Sequence, residues 1–427
     1  MTTRLEHVPF GMCFVTRVRH FVRHWAAAAM VLLAAMIAAS AGALAQQDAA
    51  DVAPPLRSAV AAYRAGDLGT AEATFRSMAT SDADAEAWLG AVLLDRGLAR
   101  DGLRHIQRAA DAGSSEGAHR LAIVYAQGLA GTPRNEVRAL ELFEKAASAG
   151  HTRAQINLGI LYMRGLGVPR DLVNARAWLE KAAASGNPQA LYTLGRAMDE
   201  ATDQIAPDPV RAADLYRRAA EKGHVLAGLR YGLALSEGIG IKRDLVTAQK
   251  WLVQARDNGV PEAALAMGDM AARTPASRDK AANERTIQTA MSWYEAAAQG
   301  GVPSAQFKVA NAYFSGVGVA RDPVQAMLWY GRAAQQGLPQ AQHALGIMLI
   351  GGVAGAPDPI EGYKWLLLAE RGGNPDSRAV REKSTSQLSE KDRRQAESLA
   401  QRFAPALERP IDDAAARTAA QKPASGR

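Results

Sequence analysis

One pattern recurs along most of this chain at an interval of about 36 residues. The units begin at Gly117, Ala154, Ala190, Ala227, Ala263, Ala305 and Ala341. The intervals between these positions are 37, 36, 37, 36, 42 and 36 residues. A regular period of this length is typical of solenoids, in which each unit buries its apolar face against its neighbours. We therefore expect an array of small units rather than one closed core.

Each unit predicts two antiparallel helices. In the unit from Ala154, the spacing of Ala154, Leu158 and Tyr162 predicts a first helix that runs to about Arg164. A second helix is predicted from near Asp171 to about residue 185. Its apolar stripe consists of Ala175, Trp178, Leu179 and Ala182. Alanine is abundant and aromatic residues make up only 6% of the chain, which favours close helix packing through small residues over a large sheet. The tryptophans of these stripes, which are expected to lie in the core, are Trp178, Trp251, Trp293 and Trp329.

Two kinds of turn connect the predicted helices. Between units, sequences such as GVPSA (301–305) place Gly just past one helix and Pro in the first turn of the next. Within units, GLGVPRD, GIGIKRD and GVGVARD each follow a helix, whereas a dinucleotide-binding loop follows a strand and has a third glycine. We interpret them as structural turns, with glycines at positive φ and a capping Asp. These turn residues are Gly165, Gly167, Asp171, Gly238, Gly240, Asp244, Gly316, Gly318 and Asp322.

The repeated pattern A-x-x-x-L-G-x-x-Y, then G-x-G-V-x-x-D, then A-x-x-W-Y/L resembles the Sel1-like repeat family, which is related to tetratricopeptide repeats. The units at 154–189 and 305–340 match nearly throughout, and the unit from Ala263 has lost the turn. The resemblance implies an all-α, right-handed α/α solenoid of helix-turn-helix repeats of about 36 residues, with a C-terminal capping helix. It implies a scaffold and no particular activity, because the shared positions are structural.

The segments outside the array predict the remaining organisation. Residues 46–116 resemble degenerate tetratricopeptide-like or Sel1-like units, and the array itself is expected to span 117–378. Within 379–408, Ser389 and Asp392 resemble a capping box that opens a capping helix. Residues 409–427 are rich in Ala, Arg and Pro and are expected to be disordered. The insertion at 273–289 is predicted to be the one long loop of the array and is therefore a second candidate contact for a partner.

Residues 1–45 predict a signal peptide. Basic residues precede an uncharged apolar run that ends in Ala43-Leu44-Ala45, the small-x-small pattern that a signal peptidase cleaves. We therefore expect a periplasmic or secreted protein. An uncleaved inner-membrane anchor is the alternative, because about 20 apolar residues can span a bilayer.

The sequence predicts no catalytic, cofactor-binding or metal-binding residues, and no cofactor. The single cysteine, Cys13, lies in the predicted signal peptide, and no two histidines after residue 45 have the spacing of metal ligands along the chain. His151 and His224 occupy the same place in two units and are interpreted as solvated turn residues, with a proton-sensing pair as the alternative. The 50 Lys and Arg and 43 Asp and Glu residues are scattered, so nucleic acid is not an expected partner.

The first helices of a solenoid line its concave side, which is the expected binding face. When each unit's first residue is position zero, positions +2 and +3 are expected to point away from the buried stripe. The candidate partner-binding residues at these positions are Arg120, Asn157, Thr193, Arg230, Lys308, Tyr192 and Phe307. A polar row beside an apolar row suits a groove for an extended or helical segment. In the alternative interpretation, the apolar +2 row packs against the next unit.

These features predict an exported, monomeric adaptor or regulator of the cell envelope that is not an enzyme and that binds a protein partner through the concave face. Membrane contact is expected only through the signal segment. The alternative function is binding of cell-wall or extracellular polysaccharide. Recovery of partners from a periplasmic extract, compared with binding to purified glycans, separates the two hypotheses.

We predict that the signal peptide is removed between Ala45 and Gln46, because Ala43-Leu44-Ala45 follows directly on the apolar run. N-terminal sequencing of the protein recovered from the envelope fraction tests the prediction. An intact N-terminus in the membrane pellet would show an anchor instead.

Overall fold

The structure is a computed structural model that describes residues 56–202, 205–275 and 277–405. The predicted signal peptide at 1–45 and the predicted tail at 409–427 lie outside these described residues. Contacts divide the chain into two compact units, whose described parts are residues 56–155 and 156–405.

Every regular element in the described residues is helical, which confirms the predicted all-α class. One isolated β-bridge joins Thr202 and Ile205, and the described stretches contain no β-strand. The helices are α1 (Arg57–Arg64), α2 (Leu68–Met78), α3 (Ala83–Asp95), α4 (Ala99–Asp111), α5 (Ser115–Gln127), α6 (Glu136–Ser148), α7 (Thr152–Arg164), α8 (Leu172–Ala184), α9 (Pro188–Asp199), α10 (Pro209–Glu221), α11 (Val225–Glu237), α12 (Leu245–Asp257), α13 (Glu262–Ala272), α14 (Lys280–Gln299), α15 (Pro303–Ser315), α16 (Pro323–Gln335), α17 (Pro339–Gly351), α18 (Pro359–Arg371), α19 (Ser377–Ser384) and α20 (Glu390–Arg402). None of these helices is both long enough and apolar enough to cross a membrane.

The two helices of a unit approach closely because the first helix carries a glycine opposite a large side chain of the second. A Cβ atom added at Gly159 would lie 2.5 Å from Leu179 Cγ, and one added at Gly268 would lie 2.6 Å from the ring of Tyr294. Contacts under 3 Å are not tolerated in a close-packed interior, so these positions require the smallest residue. The L-G pairs that define the repeat are therefore the points of closest approach within each hairpin.

The turns within units have the geometry that the sequence predicts. Gly238 and Gly240 adopt φ values of +74° and +70°. A Cβ atom at Gly240 would collide with the Pro209 carbonyl, so this glycine also allows the turn to pack on α10 of the preceding unit. The three aspartates that follow the turns, Asp171, Asp244 and Asp322, are N-caps of α8, α12 and α16. Each carboxylate accepts at least one backbone N–H at the start of its helix. The capping Asp therefore already supplies the negative charge that a phosphate would bring to a helix N-terminus.

The insertion at 273–289 differs from the prediction. Only residues 273–279 form the connection, and from Lys280 onward the segment is helical. Asp279 caps α14 by accepting the Ala281 N–H, so that α14 has 20 residues where most second helices have 13. The extra residues thus lengthen a helix, because they include alanines and a capping aspartate.

The tryptophan stripe lies at the edge of the core rather than in its centre. Trp251, Trp293 and Trp329 are half-buried and pack against the buried clusters, and Trp178 is also half-buried. Alanine and leucine fill the centre instead, as with Ala175 and Leu179 in α8.

The last helices cover the end of the array. Ser389 caps α20 by accepting the Asp392 N–H at 3.2 Å, which is the cap that the sequence predicts. Ala396 and Ala400 of α20 are buried, and Phe403 packs edge-on against Trp365 of α18 at 5.2 Å between ring centroids. An atypical terminal element of this kind covers apolar surface that the last repeat would otherwise expose.

We predict that Asp322→Ala lowers the free energy of unfolding by about 1 kcal/mol, because the Asp322 carboxylate accepts the Val324 and Gln325 N–H groups at the start of α16. Urea unfolding followed by circular dichroism measures the loss. Asp322→Asn is the matched control and should be nearly neutral, since an amide oxygen also caps helices. Equal losses in both variants would contradict a capping role.

Candidate partner-binding site

The structure separates the predicted first-helix residues into buried and exposed groups. Thr193 is only 3% exposed, and its hydroxyl donates to the Gln189 carbonyl at 2.8 Å. Arg120 lies 2.5 Å from Glu116 and its guanidinium covers the Trp88 ring at 3.8 Å. Both residues were expected to face solvent, but neither does, because contacts within its own compact unit hold each side chain. Asn157 is half-buried, Arg230 is exposed, and 39% of the Lys308 side chain is exposed.

The apolar +2 row is at least partly buried by packing, and one member, Tyr192, contacts the residue that caps the first helix of the following unit, as in the alternative interpretation. Tyr192 is buried and stacks on His224 with 4.4 Å between ring centroids. Phe307 is half-buried and lies 5.7 Å from the ring of Tyr330. The remaining buried members of the row are Ile156 and Leu229. Tyr192 is thus corrected from a partner-binding residue to a packing residue because it is buried, whereas Phe307 packs on Tyr330 of its own unit and stays half-buried.

His151 and His224 are helix caps, which corrects their interpretation as solvated turn residues. His151 Nδ1 accepts the Ala154 N–H at 3.2 Å, and His224 Nδ1 accepts the Ala227 N–H at 3.1 Å. In a neutral imidazole the proton must then be on Nε2. The Nε2 of His151 lies 2.9 Å from a carboxylate oxygen of Glu116, and the Nε2 of His224 lies 3.0 Å from the side-chain oxygen of Gln189. Each ring therefore connects the start of one first helix to the preceding first helix.

Glu116, His119 and His151 come together in space, although His119 and His151 are 32 positions apart in the sequence. Their ligand atoms all lie within 4.8 Å of one another, and the two imidazole rings stack at 4.6 Å. A metal on His151 Nε2 would force the ring proton onto Nδ1, which accepts the Ala154 N–H. Arg120 already neutralises Glu116 at 2.5 Å. The chemistry of this triad, which we call the His clamp, therefore favours a structural connection over a metal site.

Burial and charge shift the pKa values within the His clamp. Burial raises the pKa of Glu116, but Arg120 and the hydrogen bond from His151 outweigh it and hold that pKa well below its usual range. Burial lowers the pKa of His119 well below its usual value, and the neighbouring His151 lowers it further. The clamp thus keeps Glu116 ionised and His119 neutral at pH 7.

Beside Lys308, an apolar cavity of about 580 Å³ opens at the irregular unit. It lies among the end of α13, the first half of α14 and the end of α15, and we call it the α14 cavity. Its wall includes Ile287, Ala290, Met291, Lys308, Ala312 and Val317. At its base, Asp269 Oδ1 accepts the Tyr294 hydroxyl at 2.8 Å and lies 3.1 Å from Lys308 Nζ.

Apart from Lys308 and the residues of the insertion at 273–289, the wall residues are not among the predicted contacts. The sequence did contain a signal for the cavity, since the unit from Ala263 lacks the glycine turn and is 42 residues long. That signal predicts an irregularity, but it does not predict whether the lost turn leaves a space or is replaced by other side chains. Side-chain packing determines which of the two occurs, and the structure shows that a space remains.

The repeats of this chain match a known protein family. A family model for the Sel1 repeat matches seven segments that together cover more than half of the chain. The matched segments are residues 115–151, 152–187, 188–224, 227–260, 285–302, 303–338 and 339–374. The short match at 285–302 lies in the irregular unit that carries the α14 cavity.

Two solved structures are similar to the chain over most of its length. A Sel1 repeat protein from Oxalobacter formigenes is 30% identical with a TM-score of 0.56, and the alignment covers 74% of this chain and 90% of that one. A protective antigen of uropathogenic Escherichia coli with an SLR fold is 23% identical with a TM-score of 0.45, over 86% of this chain and 84% of that one. A comparison with curated proteins finds no match.

We predict that His119→Tyr weakens the pH dependence of stability between about pH 7.5 and 5. The folded-state pKa of His119 is depressed, so its contribution is complete above the unfolded value of about 6.5 and is lost as the pH falls below it. Tyrosine is the residue at the equivalent position 192. Thermal unfolding at several pH values measures the difference. His105→Gln, in the same compact unit, is the control, and an unchanged pH profile in His119→Tyr would contradict the prediction.

Proposed function

Because the chain belongs to the Sel1 repeat family, we propose that it is an exported scaffold that binds a partner protein through the exposed part of its first helices. Proteins of this family generally mediate protein–protein interactions, and the repeat is typically a non-enzymatic scaffold. We extend that role to this chain and propose that it catalyses no reaction.

One observation carries the choice of surface. Arg230 and Lys308 are accessible members of the predicted +3 row, and Lys308 borders the α14 cavity. An apolar cavity with charged residues at its edge is the usual composition of a surface that anchors a partner. The buried Tyr192 of the +2 row stacks on His224, which caps the helix that presents Arg230.

The proposed location is the cell envelope. It rests on the basic and apolar segment at 1–45 with its Ala43-Leu44-Ala45 site, and on the single cysteine in that segment, which leaves the rest of the chain without thiols. A large helical core does not need disulfides in an oxidising compartment.

Glycan binding is less well supported than protein binding. Carbohydrate sites generally offer an open aromatic face, yet basic side chains lie over three of the four repeat tryptophans, Trp178, Trp293 and Trp329. Lys181 lies 3.9 Å from the Trp178 ring centroid, and Arg332 lies 4.5 Å from that of Trp329. We therefore propose a protein partner.

We predict that Arg230→Glu combined with Lys308→Gln abolishes capture of the partner from an envelope extract. The change removes positive charge from the proposed surface, which lowers affinity and the association rate for a partner that prefers a basic surface. Glutamine is chosen at 308 because a carboxylate there would repel Asp269. Affinity capture followed by mass spectrometry measures the loss.

The matched control is Lys181→Glu combined with Lys222→Gln, on second helices. Both double variants should unfold within about 0.5 kcal/mol of the wild type, since exposed substitutions and surface ion pairs contribute little. If the control pair abolishes capture and the Arg230/Lys308 pair does not, partners bind the second-helix surface and the proposal is wrong.

A further inference from the structure

The α14 cavity exists because the irregular unit lacks a turn residue that the regular units use as filling. In the regular turns, the fourth residue packs against the core, as Ile241 and Val319 do. Among the described residues of the unit from Ala263 none takes this place, because α13 ends at Ala272 and α14 begins at Lys280 without a turn of the regular kind. Gly318 of the next turn rests directly on Ile287 and Met291. The cavity is therefore bounded by fixed helices and is not a product of one side-chain rotamer.

The cavity has the size and surface of a binding pocket. Its volume of about 580 Å³ lies within the range of roughly 300–1,000 Å³ that is common for ligand pockets. Ile287 is 39% exposed and Val317 is 56% exposed, so apolar surface reaches the mouth of the cavity. Burying such surface against a large apolar side chain of a partner is favourable, because it removes apolar area from water.

The charge around the cavity mouth is basic. Residues 273–289, which carry the wall residues Thr274 and Ile287, contain four basic and two acidic side chains. Arg285 is paired with Asp279 at 3.5 Å, Arg273 with Glu237 at 3.1 Å and Lys308 with Asp269 at 3.1 Å. Among the described residues of the segment, Arg278, Lys280 and Glu284 form no ion pair, which leaves two basic side chains against one acidic side chain. This remaining positive charge favours an acidic partner over a basic one.

We propose that the α14 cavity binds an acidic segment of the partner protein, with one large apolar side chain of that segment seated in the cavity. The inference rests on the proposed scaffold function and adds the chemistry of what is bound. The apolar wall at Ile287 and Met291 takes the anchor, and Arg278 and Lys280 face the flanking carboxylates. The cavity supplies affinity, and the basic segment supplies selectivity.

The test uses a short fluorescein-labelled peptide with one central phenylalanine flanked by aspartates and glutamates, titrated with the full chain by fluorescence anisotropy. Two control peptides replace the phenylalanine by alanine or the acidic residues by lysine. The acidic phenylalanine peptide should bind at least about tenfold more tightly than either control. Its affinity should fall as the salt concentration rises. Equal binding of the three peptides would overturn the proposal.

Ser315→Trp fills the cavity from the α15 side and should weaken peptide binding at least about tenfold. Ser292→Trp is the matched control, because Ser292 is exposed on α14 outside the cavity. Ala272→Trp, which fills the cavity from the α13 side, replaces Ser315→Trp if circular dichroism shows that variant to be unfolded. Unchanged peptide binding in a folded cavity-filling variant overturns the proposal.

Two further outcomes separate this inference from the proposed function. If the wild type captures no envelope protein, the scaffold function fails. If the wild type and Ser315→Trp capture the same protein equally well, only the cavity inference fails. If sedimentation shows that Ser315→Trp abolishes self-association of the wild type, the occupant is a second copy of the chain and the acidic-segment proposal is wrong.

Discussion

The close approach of the two helices within each unit is the constraint on which the rest of the structure depends. Gly159 against Leu179 and Gly268 against Tyr294 leave no room for a Cβ atom. The large side chain on the second helix fits only against the glycine on the first helix. The rotation of each helix about its own axis is therefore fixed. That rotation buries the +2 side chains Ile156, Tyr192 and Leu229 and leaves part of the +3 row accessible. Small residues at a few positions therefore determine which surface a partner can reach.

Irregularity in a repeat of this kind has a local effect. The longer step after Ala263 leaves the hairpin of that unit and its contact with the next turn intact, because Gly268 still packs against Tyr294 and Gly318 still packs on α14. The changes are a longer α14, a missing turn residue and the cavity that results. In solenoids, the residues of the repeat pattern pack the helices together. Binding sites are therefore formed by residues that depart from the pattern. The α14 cavity is consistent with that principle.

Much of the fold follows from the sequence, and much less of the site does. Helical spacing, glycine turns and the caps at Asp171 and Ser389 are local signals, so the hairpins and their ends are predicted correctly. The burial of Thr193 and Tyr192 depends on how one unit sits on the next, which a single-unit pattern does not contain. The His clamp was missed because its members are about one repeat apart, so a search for ligand spacing along the chain does not bring them together. The prediction of a loop at 273–289 was wrong because it assumed that an insertion forms a loop. The helix-forming residues of the segment and the cap at Asp279 instead extend α14.

The His clamp has a consequence for how such an array can grow. His151 ends the matched segment 115–151, and His224 ends the matched segment 188–224. Each of these segments contains both the ring that caps the next first helix and the Glu116 or Gln189 side chain to which that ring connects. A duplication that begins at residue 115 or 188 therefore copies a complete junction, whereas one that begins a few residues earlier separates the cap from its anchor. A duplicated segment that keeps this junction complete therefore ends at His151 or His224, about one turn beyond the second helix.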